Sequence, residues 1–409
     1  MSSLVLLQNT SDPNGPLEGW HVGTYNPDMA KRTAVFVYCP QLEQYPYPPE
    51  HPFKTDRAQK ARQIIRSMGW LDGPGIKEVH PRPASRIALR KFHTARYLHV
   101  LKSASGGKWD GQALTMGIGT SDCPVFGGMF EHAVWAAGAT LMAVKAILTG
   151  QAQVAFNPHG GFHHAHPERA SGFCYINDVC LACQVLAEAG RRVFYLDLDV
   201  HYGDGVAQFF YDRSDVLTCS LHEDPRVLFP GTGFVEEIGE GPGKGFCVNI
   251  PLPVGTYDMV YLNAFECVVL PIAKAFDPDV FVIELGADAL AGDPLAHLQL
   301  TNNVYADVLA RIIALGKPIV MTGGGGYHVD NTARAWALAW GVVTGQDSGA
   351  DQNAGLGGVM LGSPDWAGGL RDRELPVSEQ QRQVVSGALN ATIKQVKRLI
   401  FPLHGLAAD

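Results

Sequence analysis

Residue types that bind metal ions cluster directly after an apolar run near the middle of the chain. The stretch YLDLDVHYGDG, residues 195–205, places Asp197, Asp199, His201 and Asp204 within eight positions. The first three alternate at a spacing of two, so on an extended chain their side chains point to one side. Each would cost roughly 2 kcal/mol or more if buried unpaired, and a shared cation removes that cost. The alternative is that these acids cap helices or pair with Lys and Arg, but the segment contains neither, which favours a metal site.

A second acidic stretch could complete the ligand set. ELGADALAGD, residues 284–293, continues another apolar run and carries Asp288 and Asp293. Two carboxylates and one imidazole leave one coordination position open, which is typical of catalytic rather than structural metal sites. Zinc, iron and manganese all accept such ligands, and the spacing alone also allows a two-metal hydrolase.

A glycine-flanked loop supplies tandem histidines. HGGFHHAHPERASGFCYIND, residues 159–178, contains His163 and His164 side by side, with His159 and His166 nearby. Such histidines could simply be solvated. Neighbouring imidazoles can also act as base and acid in amide hydrolysis, where water must lose a proton and the amine must gain one. The segment is therefore a candidate catalytic loop.

Two acids are available to orient these imidazoles. An imidazole that exchanges protons needs a carboxylate behind its far nitrogen to fix its tautomer. If Asp199 and Asp288 bind the metal, Asp197 and Asp204 remain for this purpose. The sequence thus predicts two His–Asp pairs beside a metal ion.

A glycine-rich turn carries a tyrosine toward the same region. GGGGYH, residues 323–328, follows the apolar run PIVMT. Four glycines could bind phosphate, but the Lys-Ser/Thr pair of a P-loop is missing. Glycines also let the backbone approach other elements closely, and the phenol of Tyr327 could then donate a hydrogen bond to a developing oxyanion.

Short apolar runs alternate with longer amphipathic ones along the chain. Strands are predicted at residues 33–39, 153–158, 192–200, 215–221, 246–252, 280–288 and 318–325, and helices at 131–150, 177–190, 303–316 and 331–345. Several of the strands are apolar throughout, as expected of parallel strands covered on both faces. The pattern predicts an α/β fold with a mostly parallel central sheet and helices on both sides, where ligands bind beyond the carboxyl ends of the strands.

The pattern indicates one domain with two irregular segments. Residues 1–30 predict an irregular N-terminal arm, and residues 31–409 a single domain that includes a Gly-rich loop at 346–376 and a C-terminal helix at 377–401. We see no internal repeat.

Charge and hydropathy argue against several classes of partner. The chain has 40 acidic and 32 basic side chains, a net charge of −8, so we expect no direct nucleic-acid ligand. The N-terminus lacks the basic start of a signal peptide, and no apolar run of about 18 residues is present. We expect a cytoplasmic protein with no membrane partner, and the sequence indicates no oligomeric state.

Taken in order, these segments resemble the zinc-dependent histone deacetylase family, most closely its bacterial acetoin-utilisation deacetylase branch. The resemblance runs from about residue 33 to 345. The matching segments are HPFKTDRAQKA, SDCPVFGGMFEHAVWAAGAT, GGFHHAHPERASGFCYIND, DLDVHYGDG, LFPGTG, NIPLP, GADALAGD and GGGGYH. The resemblance implies the arginase/deacetylase-like fold, a single three-layer α/β/α domain, and makes residues 31–409 a deacetylase-like catalytic domain.

The resemblance also implies a metal ion and a hydrogen-bond donor. Zn²⁺, with Fe²⁺ as an alternative, would be bound by Asp199, His201 and Asp288. Tyr327 would assist the zinc in polarising the acyl carbonyl.

The family pattern assigns different roles to the two tandem histidines. His164, backed by Asp204, would be the principal general base and acid. His163, backed by Asp197, would be its electrostatic partner.

A structural K⁺ is implied beside the zinc. Its ligands would be the carboxylate of Asp197 and the main chain of four other residues, Leu198, His201, Ser220 and Leu221.

The resemblance further implies a narrow tunnel for the stem of an acyl-lysine. Gly172, Phe173, Phe229 and Leu295 would form its walls. Asp122 would be the acid at the rim that grips the substrate backbone.

One position departs from the family pattern. The family usually has a second histidine where this chain has Tyr202, in HYG. That position is not a metal ligand, so the departure puts the packing beneath the site in doubt and leaves the ligand set intact.

Together with the resemblance, these features predict a zinc-dependent protein lysine deacetylase. Its substrate would be an acetylated protein or peptide, such as an acyl-CoA synthetase or a histone-like protein. The alternatives are an acetylpolyamine or other small acylated-amine amidohydrolase, an arginase-like two-metal hydrolase, and a module that binds acyl-lysine without cleaving it. Retention of both histidines and the tyrosine argues against simple binding, which needs no proton relay.

Overall fold

Eight parallel strands form one sheet in the computed structural model, which describes residues 32–347 and 370–408. The strands are β1 (Ala34–Val37), β2 (Ile76–Val79), β3 (Val154–Asn157), β4 (Val193–Asp197), β5 (Val216–Glu223), β6 (Cys247–Leu252), β7 (Val280–Glu284) and β8 (Ile319–Thr322). Their order across the sheet is β2-β1-β3-β8-β7-β4-β5-β6. The predicted mostly parallel sheet is confirmed. The predicted arm at 1–30 and residues 348–369 of the predicted loop lie outside the described residues.

Helices cover both faces of the sheet. They are α1 (Arg57–Ser67), α2 (Arg86–Leu89), α3 (Ala95–Ser105), α4 (Gly111–Thr115), α5 (Met129–Leu148), α6 (Asp178–Glu188), α7 (Asp204–Phe209), α8 (Asp258–Ala264), α9 (Leu270–Phe276), α10 (Asn302–Ala314), α11 (Val329–Val343) and α12 (Glu379–Ile400). A π-helical turn, Phe265–Val269, joins α8 to α9. Short 3₁₀ turns occur at Pro40–Gln44, Gly241–Gly243 and Phe401–His404.

The central strands are apolar because both of their faces are buried. Along β4, Phe194 and Leu196 join one hydrophobic cluster, whereas Val193 and Tyr195 join a second cluster on the opposite face. The first cluster includes residues of α1 and α8 to α12, and the second includes residues of α3, α5 and α6. Alternate side chains of one strand therefore belong to two hydrophobic cores, one on each face of the sheet. The predicted three-layer α/β/α arrangement is confirmed.

Three strands end three or four residues earlier than their apolar runs predict. The strand predicted at 192–200 ends at Asp197, that at 280–288 ends at Glu284, and that at 318–325 ends at Thr322. These three ends lie side by side, since Asp197 pairs with Glu284 and Glu284 with Thr322. The segments beyond them are loops that meet at one edge of the sheet, which is where parallel strands place ligand-binding residues.

Hydrogen bonds from side chain to backbone turn the chain after β4. The Asp199 N–H donates to Asp197 Oδ1 at 3.2 Å, and the His201 N–H donates to Asp199 Oδ1 at 2.8 Å. Such Asp turns compete with the ladder of the sheet. The prediction that Asp197, Asp199 and His201 alternate on one extended strand is therefore wrong.

One helical stretch is long and apolar enough to cross a membrane by length and composition, Asp258–Phe276, which comprises α8, the π turn and α9. Half of its most apolar window is buried against the rest of the protein. Tyr261, Phe265 and Ile272 belong to the first hydrophobic cluster. Core helices of globular proteins meet the same criterion, so this stretch is weak evidence for a membrane.

Candidate active site

A buried cluster of two carboxylates and one imidazole lies beyond β4 and β7. His201 Nδ1 lies 3.1 Å from Asp199 Oδ1 and 3.0 Å from Asp288 Oδ2. One ligand atom from each residue falls within 4.8 Å of the others, and all three residues are buried. One imidazole facing two acids is a donor set that fits Zn²⁺, Fe²⁺ or Mn²⁺. The three predicted ligands are therefore close enough to share one ion.

Backbone contacts hold the two carboxylates in place. Asp288 Oδ1 accepts a hydrogen bond from the Val200 N–H at 3.0 Å, and Asp199 Oδ2 accepts one from the Gly325 N–H at 2.7 Å. A Cβ at Gly325 would lie 1.9 Å from Asp288 Oδ2, and one at Gly286 would lie 2.1 Å from Asp199 Oδ2. Glycine is required at both positions because the carboxylates pack directly against the backbone.

The charges of this cluster point to a cation. Burial disfavours the imidazolium of His201, but its hydrogen bonds to Asp199 and Asp288 raise its pKa to about 10. Burial and the neighbouring charge of Asp199 raise the pKa of Asp288 to about 7. Without a metal ion, a proton on His201 balances the acids, and a divalent ion could take over that role.

Glu284 is a third buried acid near this cluster, and the sequence analysis missed it. It ends β7, is fully buried, and accepts a hydrogen bond from the Gly286 N–H at Oε2 over 3.0 Å, while Oε1 has no partner among the described residues. Burial, then the charges of Asp199 and Asp197, raise its pKa well above the usual range. Its carboxylate also groups with His163 and Asp199 at metal-binding distances. The available signal was an acid closing an apolar run, VFVIE, four positions before Asp288.

Two His–Asp pairs lie beside the cluster. His163 Nδ1 lies 3.0 Å from Asp197 Oδ2, and His164 Nδ1 lies 2.8 Å from Asp204 Oδ1. Asp197 also accepts a hydrogen bond from the Tyr195 hydroxyl at 2.6 Å. The Nε2 atoms of the two histidines lie 3.0 Å apart. The structure thus places an acid behind each imidazole and turns the two free nitrogens toward each other.

The two imidazoles differ in charge. Burial opposes protonation of His163, but the carboxylates of Asp197 and Asp199 raise its pKa to about 9. Burial and the charge of His163 lower the pKa of His164 to about 4. Near neutral pH, His163 is therefore charged and His164 is neutral, which is the state that a general base requires.

Tyr327 lies on a loop that is fixed from two sides. Its N–H donates to Asp293 Oδ2 at 2.7 Å, and Arg57 Nη1 donates to the carbonyl oxygen of Gly326 at 2.6 Å. Arg57 is itself buried, stacked over the rings of Phe53 and Trp336. Asp293, a candidate ligand by sequence, thus binds this loop instead of joining the carboxylate–imidazole cluster.

The Tyr327 phenol stays protonated near the carboxylates. Burial, then the charges of Asp288 and Asp199, raise its pKa well above the usual range. Its ring meets that of Phe173 edge to face at 5.7 Å between centroids. A protonated phenol can act as a hydrogen-bond donor in the site.

A cavity of about 20 Å³ opens onto these groups, room for about one water molecule. The candidates of the sequence analysis that line it are His163, His164, Gly172, Phe173, Asp199, His201 and Tyr327. Phe229 packs on the His164 ring at 4.9 Å between centroids and is 44% exposed. Leu295 is partly buried and is not among the lining residues of this cavity.

Asp122 holds the loop that forms one wall. Its Oδ2 accepts a hydrogen bond from the Gly172 N–H at 3.0 Å, and its Oδ1 accepts one from the Thr120 hydroxyl at 2.7 Å. Both Gly172 and Phe173 have positive φ, 52° and 69°. A Cβ at Gly172 would lie 2.4 Å from His164 Cδ2, so only glycine lets this wall approach the imidazole.

The residues predicted for K⁺ lie near one another, at and just beyond the end of β4 and within β5. Asp197 and Ser220 are register partners, and Leu198 and Leu221 are fully buried. The Ser220 hydroxyl is hydrogen-bonded to His222 Nδ1 at 2.8 Å.

Tyr202 packs away from the donor cluster. Its ring contacts that of His222 at 4.8 Å between centroids, and its hydroxyl lies 3.6 Å from Cys247 Sγ. A Cβ at Gly233 would lie 2.7 Å from Tyr202 Cγ, so the glycine makes room for the ring. The phenol fills space beside His222 and Gly233 and has no hydrogen bond to the proposed ligands.

Comparison with known proteins identifies the family. Residues 51–343 match the histone deacetylase domain. The chain is 41% identical to the acetoin utilization protein AcuC of Bacillus subtilis, over 78% of this chain and 84% of AcuC. It is 32% identical to histone deacetylase clr6 of Schizosaccharomyces pombe, over 91% of each chain. The chain therefore belongs to the histone deacetylase family.

Solved structures agree with this assignment. A histone deacetylase homologue from Aquifex aeolicus superposes with a TM-score of 0.78 at 33% identity, covering 89% of this chain and 99% of that chain. A histone deacetylase homologue complexed with SAHA gives a TM-score of 0.77 at 32% identity, covering 90% of this chain and 100% of that chain. The predicted deacetylase-like fold is confirmed, and membership of this family supports deacetylase activity.

Proposed function

We propose that the protein is a metal-dependent deacylase that hydrolyses the amide of Nε-acetyl-lysine, or a related acyl-lysine, in proteins or peptides. The observation that carries this proposal is the buried cluster of Asp199, His201 and Asp288 facing the paired imidazoles of His163 and His164. Amide hydrolysis needs an electrophile, a base and an acid in one place, and the site offers candidates for all three.

Asp199, His201 and Asp288 would hold Zn²⁺, with Fe²⁺ as an alternative. When bound, such an ion polarises an acyl carbonyl and lowers the pKa of a water. The carboxylate of Asp197, together with the backbone of Leu198, His201, Ser220 and Leu221, would hold K⁺.

His164 is the proposed general base and acid. Its neutral Nε2 would accept a proton from the attacking water, while Asp204 fixes the proton on Nδ1. In the structure Nε2 faces that of His163, so the incoming water would replace His163 as hydrogen-bond donor. The same nitrogen would then return the proton to the departing amine. Charged His163, backed by Asp197, would stabilise the negative charge that develops nearby.

Tyr327 is the proposed oxyanion donor. Its raised pKa keeps the hydroxyl protonated, and the loop that carries it is fixed before substrate arrives. A donor that is already in position stabilises developing charge without reorganisation.

The aromatic walls restrict the substrate to a slim stem. Phe173 packs against Tyr327 and lines the cavity, which holds about one water, and Phe229 packs against the His164 ring. An acyl-lysine would therefore have to move an aromatic wall aside, and the half-exposed Phe229 is the freer of the two. Leu295 would complete the tunnel, and Asp122 would bind the substrate backbone at the rim.

The proposed partner is an acetylated protein of the cytoplasm, such as an acyl-CoA synthetase or a histone-like protein. The net charge of −8 favours a Lys-rich target, and the name of the AcuC relative refers to acetoin utilisation. Small acylated amines such as acetylpolyamines remain the alternative substrate class.

The deciding experiment is a substrate panel on Zn²⁺-loaded protein. Acetyl-lysine peptides, longer acyl-lysine peptides and acetylspermidine would be compared by kcat/KM, with His164→Ala as the inactive reference. We expect the acetyl-lysine peptides to be hydrolysed fastest. Faster turnover of acetylspermidine would assign the protein to the polyamine amidohydrolases. If no amide were hydrolysed at all, the deacylase proposal would be rejected.

The group of His163, Asp199 and Glu284 favours one rival, a two-metal hydrolase. Counting bound transition-metal ions by mass spectrometry separates the two. One ion per chain supports the deacylase, and two ions per chain support the rival.

A further inference from the structure

Glu223 is a buried carboxylate that does not belong to the cluster of proposed metal ligands. It is the last residue of β5, and its side chain is 0% exposed. Its Oε2 accepts a hydrogen bond from the His297 N–H at 3.0 Å, and its Oε1 lies 2.8 Å from His297 Nδ1. Burying a carboxylate is costly unless it is paired and hydrogen-bonded, and one residue supplies both of these contacts.

Residues 293–297, here named the wall segment, are held at both ends. At the start, Asp293 Oδ2 accepts a hydrogen bond from the Tyr327 N–H at 2.7 Å. At the end, His297 is bound by the carboxylate that closes β5. Leu295, the partly buried residue of the proposed tunnel, lies between these two anchors. Its position therefore depends on both of them.

The wall segment relies on side-chain contacts because it has no regular structure. Residues 293–297 belong to no helix or strand, and Pro294 has no N–H to donate. The His297 side chain is 58% exposed, so packing alone does not hold the imidazole in place. The carboxylate of Glu223 therefore fixes this end of the segment, together with the Gly255 N–H, which donates to the His297 carbonyl oxygen at 3.0 Å.

The backbone of Glu223 is joined to the segment that carries two of the proposed metal ligands. Its N–H donates to the carbonyl oxygen of Val200 at 2.8 Å, and Val200 lies between Asp199 and His201. The Val200 N–H in turn donates to Asp288 Oδ1 at 3.0 Å. One residue thus binds the ligand segment through its backbone and the wall segment through its side chain.

We propose that Glu223 is a positioning residue for the substrate tunnel: through His297 it holds Leu295 at a fixed distance from the proposed metal ligands and keeps the tunnel narrow. The proposal deepens the proposed function and rests on Leu295 being part of the tunnel. Hydrogen bonds to an ionised acceptor are about twice as strong as those to a neutral one. Neutralising residue 223 therefore loosens the wall segment, which then contacts a slim stem less closely and admits a bulkier one.

The test is Glu223→Gln, which keeps the size of the side chain, removes its charge and turns an NH₂ group toward one of the two donors. An acetyl-lysine peptide is compared with the same peptide carrying acetylated 4-(aminomethyl)phenylalanine, whose stem contains a ring. We expect the ratio of kcat/KM, lysine over aromatic stem, to fall by about 5- to 10-fold, with KM for the lysine peptide raised and kcat within about 2-fold.

Glu266→Gln is the matched control for this substitution. Glu266 pairs with Arg311 at 2.6 Å, and both side chains are about one-third exposed. The pair joins the π turn to α10 and contacts neither the wall segment nor the proposed ligands. Glu266→Gln should keep the ratio of the parent.

Variants at the partner residue separate positioning from a general loss of stability. His297→Asn places an amide N–H close to the position of Nδ1 and should keep most of the parent ratio, whereas His297→Leu should reproduce the ratio of Glu223→Gln. Leu295→Ala should lower the ratio by itself, and adding Glu223→Gln should then change it little further. Fully additive effects would show that Glu223 does not act through Leu295 and would overturn the proposal.

Amide hydrogen exchange of residues 290–299, measured without substrate, provides a readout that needs no turnover. We expect faster exchange in Glu223→Gln than in the parent and in Glu266→Gln. Either an unchanged ratio or unchanged exchange in Glu223→Gln overturns the proposal. If Glu223→Gln does not fold, His297→Leu and His297→Asn are compared by the same two measurements. A parent that hydrolyses no acyl-lysine would reject the proposed function and the tunnel role with it, and exchange would still decide whether Glu223 holds the wall segment.

Discussion

The Nε2 atoms of His163 and His164 lie 3.0 Å apart, while their Nδ1 atoms face two different carboxylates. Two adjacent residues therefore have separate electrostatic surroundings. Asp197 and Asp199 favour the charged form of His163, and that charge in turn helps to keep His164 neutral. His163 therefore provides a fixed positive charge and His164 a proton acceptor. Such a division is expected of two coupled titratable groups whose surroundings shift their pKa values in opposite directions.

His164→Ala and His163→Ala should differ in their effect on turnover. Removing the proton acceptor should lower kcat by about 10²- to 10⁴-fold with little change in KM. Removing the fixed charge should cost less, because the acceptor remains. Steady-state kinetics on an acetyl-lysine peptide measures both. Full activity in His164→Ala would show that the base lies elsewhere.

Tyr327→Phe should lower kcat by about 10²- to 10³-fold, because it removes one oxyanion donor while keeping the ring that contacts Phe173. KM should change little. The thermal midpoint provides the control, since the loop is held by Asp293 and Arg57 and not by the hydroxyl. An unchanged kcat would remove the phenol from the mechanism.

Asp288→Asn should abolish metal binding while preserving most of the shape of the site. The amide cannot supply a second negative charge to the ion, although it can still accept the hydrogen bond from the Val200 N–H. Dialysed protein would be titrated with Zn²⁺ by calorimetry, with the parent binding one ion per chain. Asp330→Asn, at a partly exposed acid that pairs with Lys60, is a suitable comparison outside the site. Parent-like Zn²⁺ affinity in Asp288→Asn would contradict the ligand assignment.

Gly325→Ala should eliminate activity by displacing the proposed metal ligands, although Gly325 contributes no side chain to the site. The added methyl group would overlap the carboxylate of Asp288 at 1.9 Å and crowd that of Asp199 at 2.7 Å. Gly387→Ala on α12 is the matched control, since a Cβ there meets nothing within 4 Å and alanine favours a helix by up to about 1 kcal/mol. Metal binding and thermal stability would be measured for both. Normal Zn²⁺ affinity in Gly325→Ala would show that the carboxylates can move.

Acid should destabilise the fold through buried neutral histidines. Burial lowers the pKa of His93 to about 3, and its Nε2 already accepts a hydrogen bond from the Asn177 N–H at 3.0 Å. Because the folded pKa lies below the unfolded value, this contribution is complete at neutral pH and is lost as pH falls below about 6.5, at about 1.4 kcal/mol per pH unit. Urea unfolding at several pH values measures that slope.

His93→Leu should remove the uptake of about one proton on unfolding, and so reduce the slope of the free energy of unfolding against pH. It should also lower stability at every pH, because the Asn177 N–H loses its acceptor. The exposed His99→Leu should leave the slope as in the parent. Equal slopes in His93→Leu and the parent would assign the acid sensitivity to other groups.

Strands with continuous apolar runs were the predictable part of the fold. β3, β4, β7 and β8 are buried along their whole length, so their sequences carry a strong signal. The edge strand β2, with sequence IKEV, was missed because it is only partly buried and reads as a polar segment. Helix α1 was missed for a similar reason, since seven of its 11 residues are Arg, Lys, Gln or Ser.

The site was predictable as a set of residues but not as a geometry. Spacing identified Asp199, His201 and Asp288. It placed the first two on a strand, whereas the strand ends at Asp197 and both residues lie in the Asp turns that follow it. Glu284 escaped notice because an acid at the end of a strand looks like an ordinary terminus until its neighbours in the sheet are known. The Glu223–His297 contact joins residues 74 positions apart, and no local pattern predicts it.

The double anchoring of the loop before α11 bears on how such a protein could change its specificity. Arg57 and Asp293 bind the carbonyl oxygen and the N–H of the same peptide group, the one that joins Gly326 to Tyr327, so the backbone that carries the phenol is fixed from both sides. A descendant that accepted bulkier acyl chains would first need to loosen these two anchors, both of which lie outside the walls that touch a substrate. A change in acyl-chain specificity would therefore begin with substitutions at Arg57 or Asp293 rather than at the residues that contact the substrate.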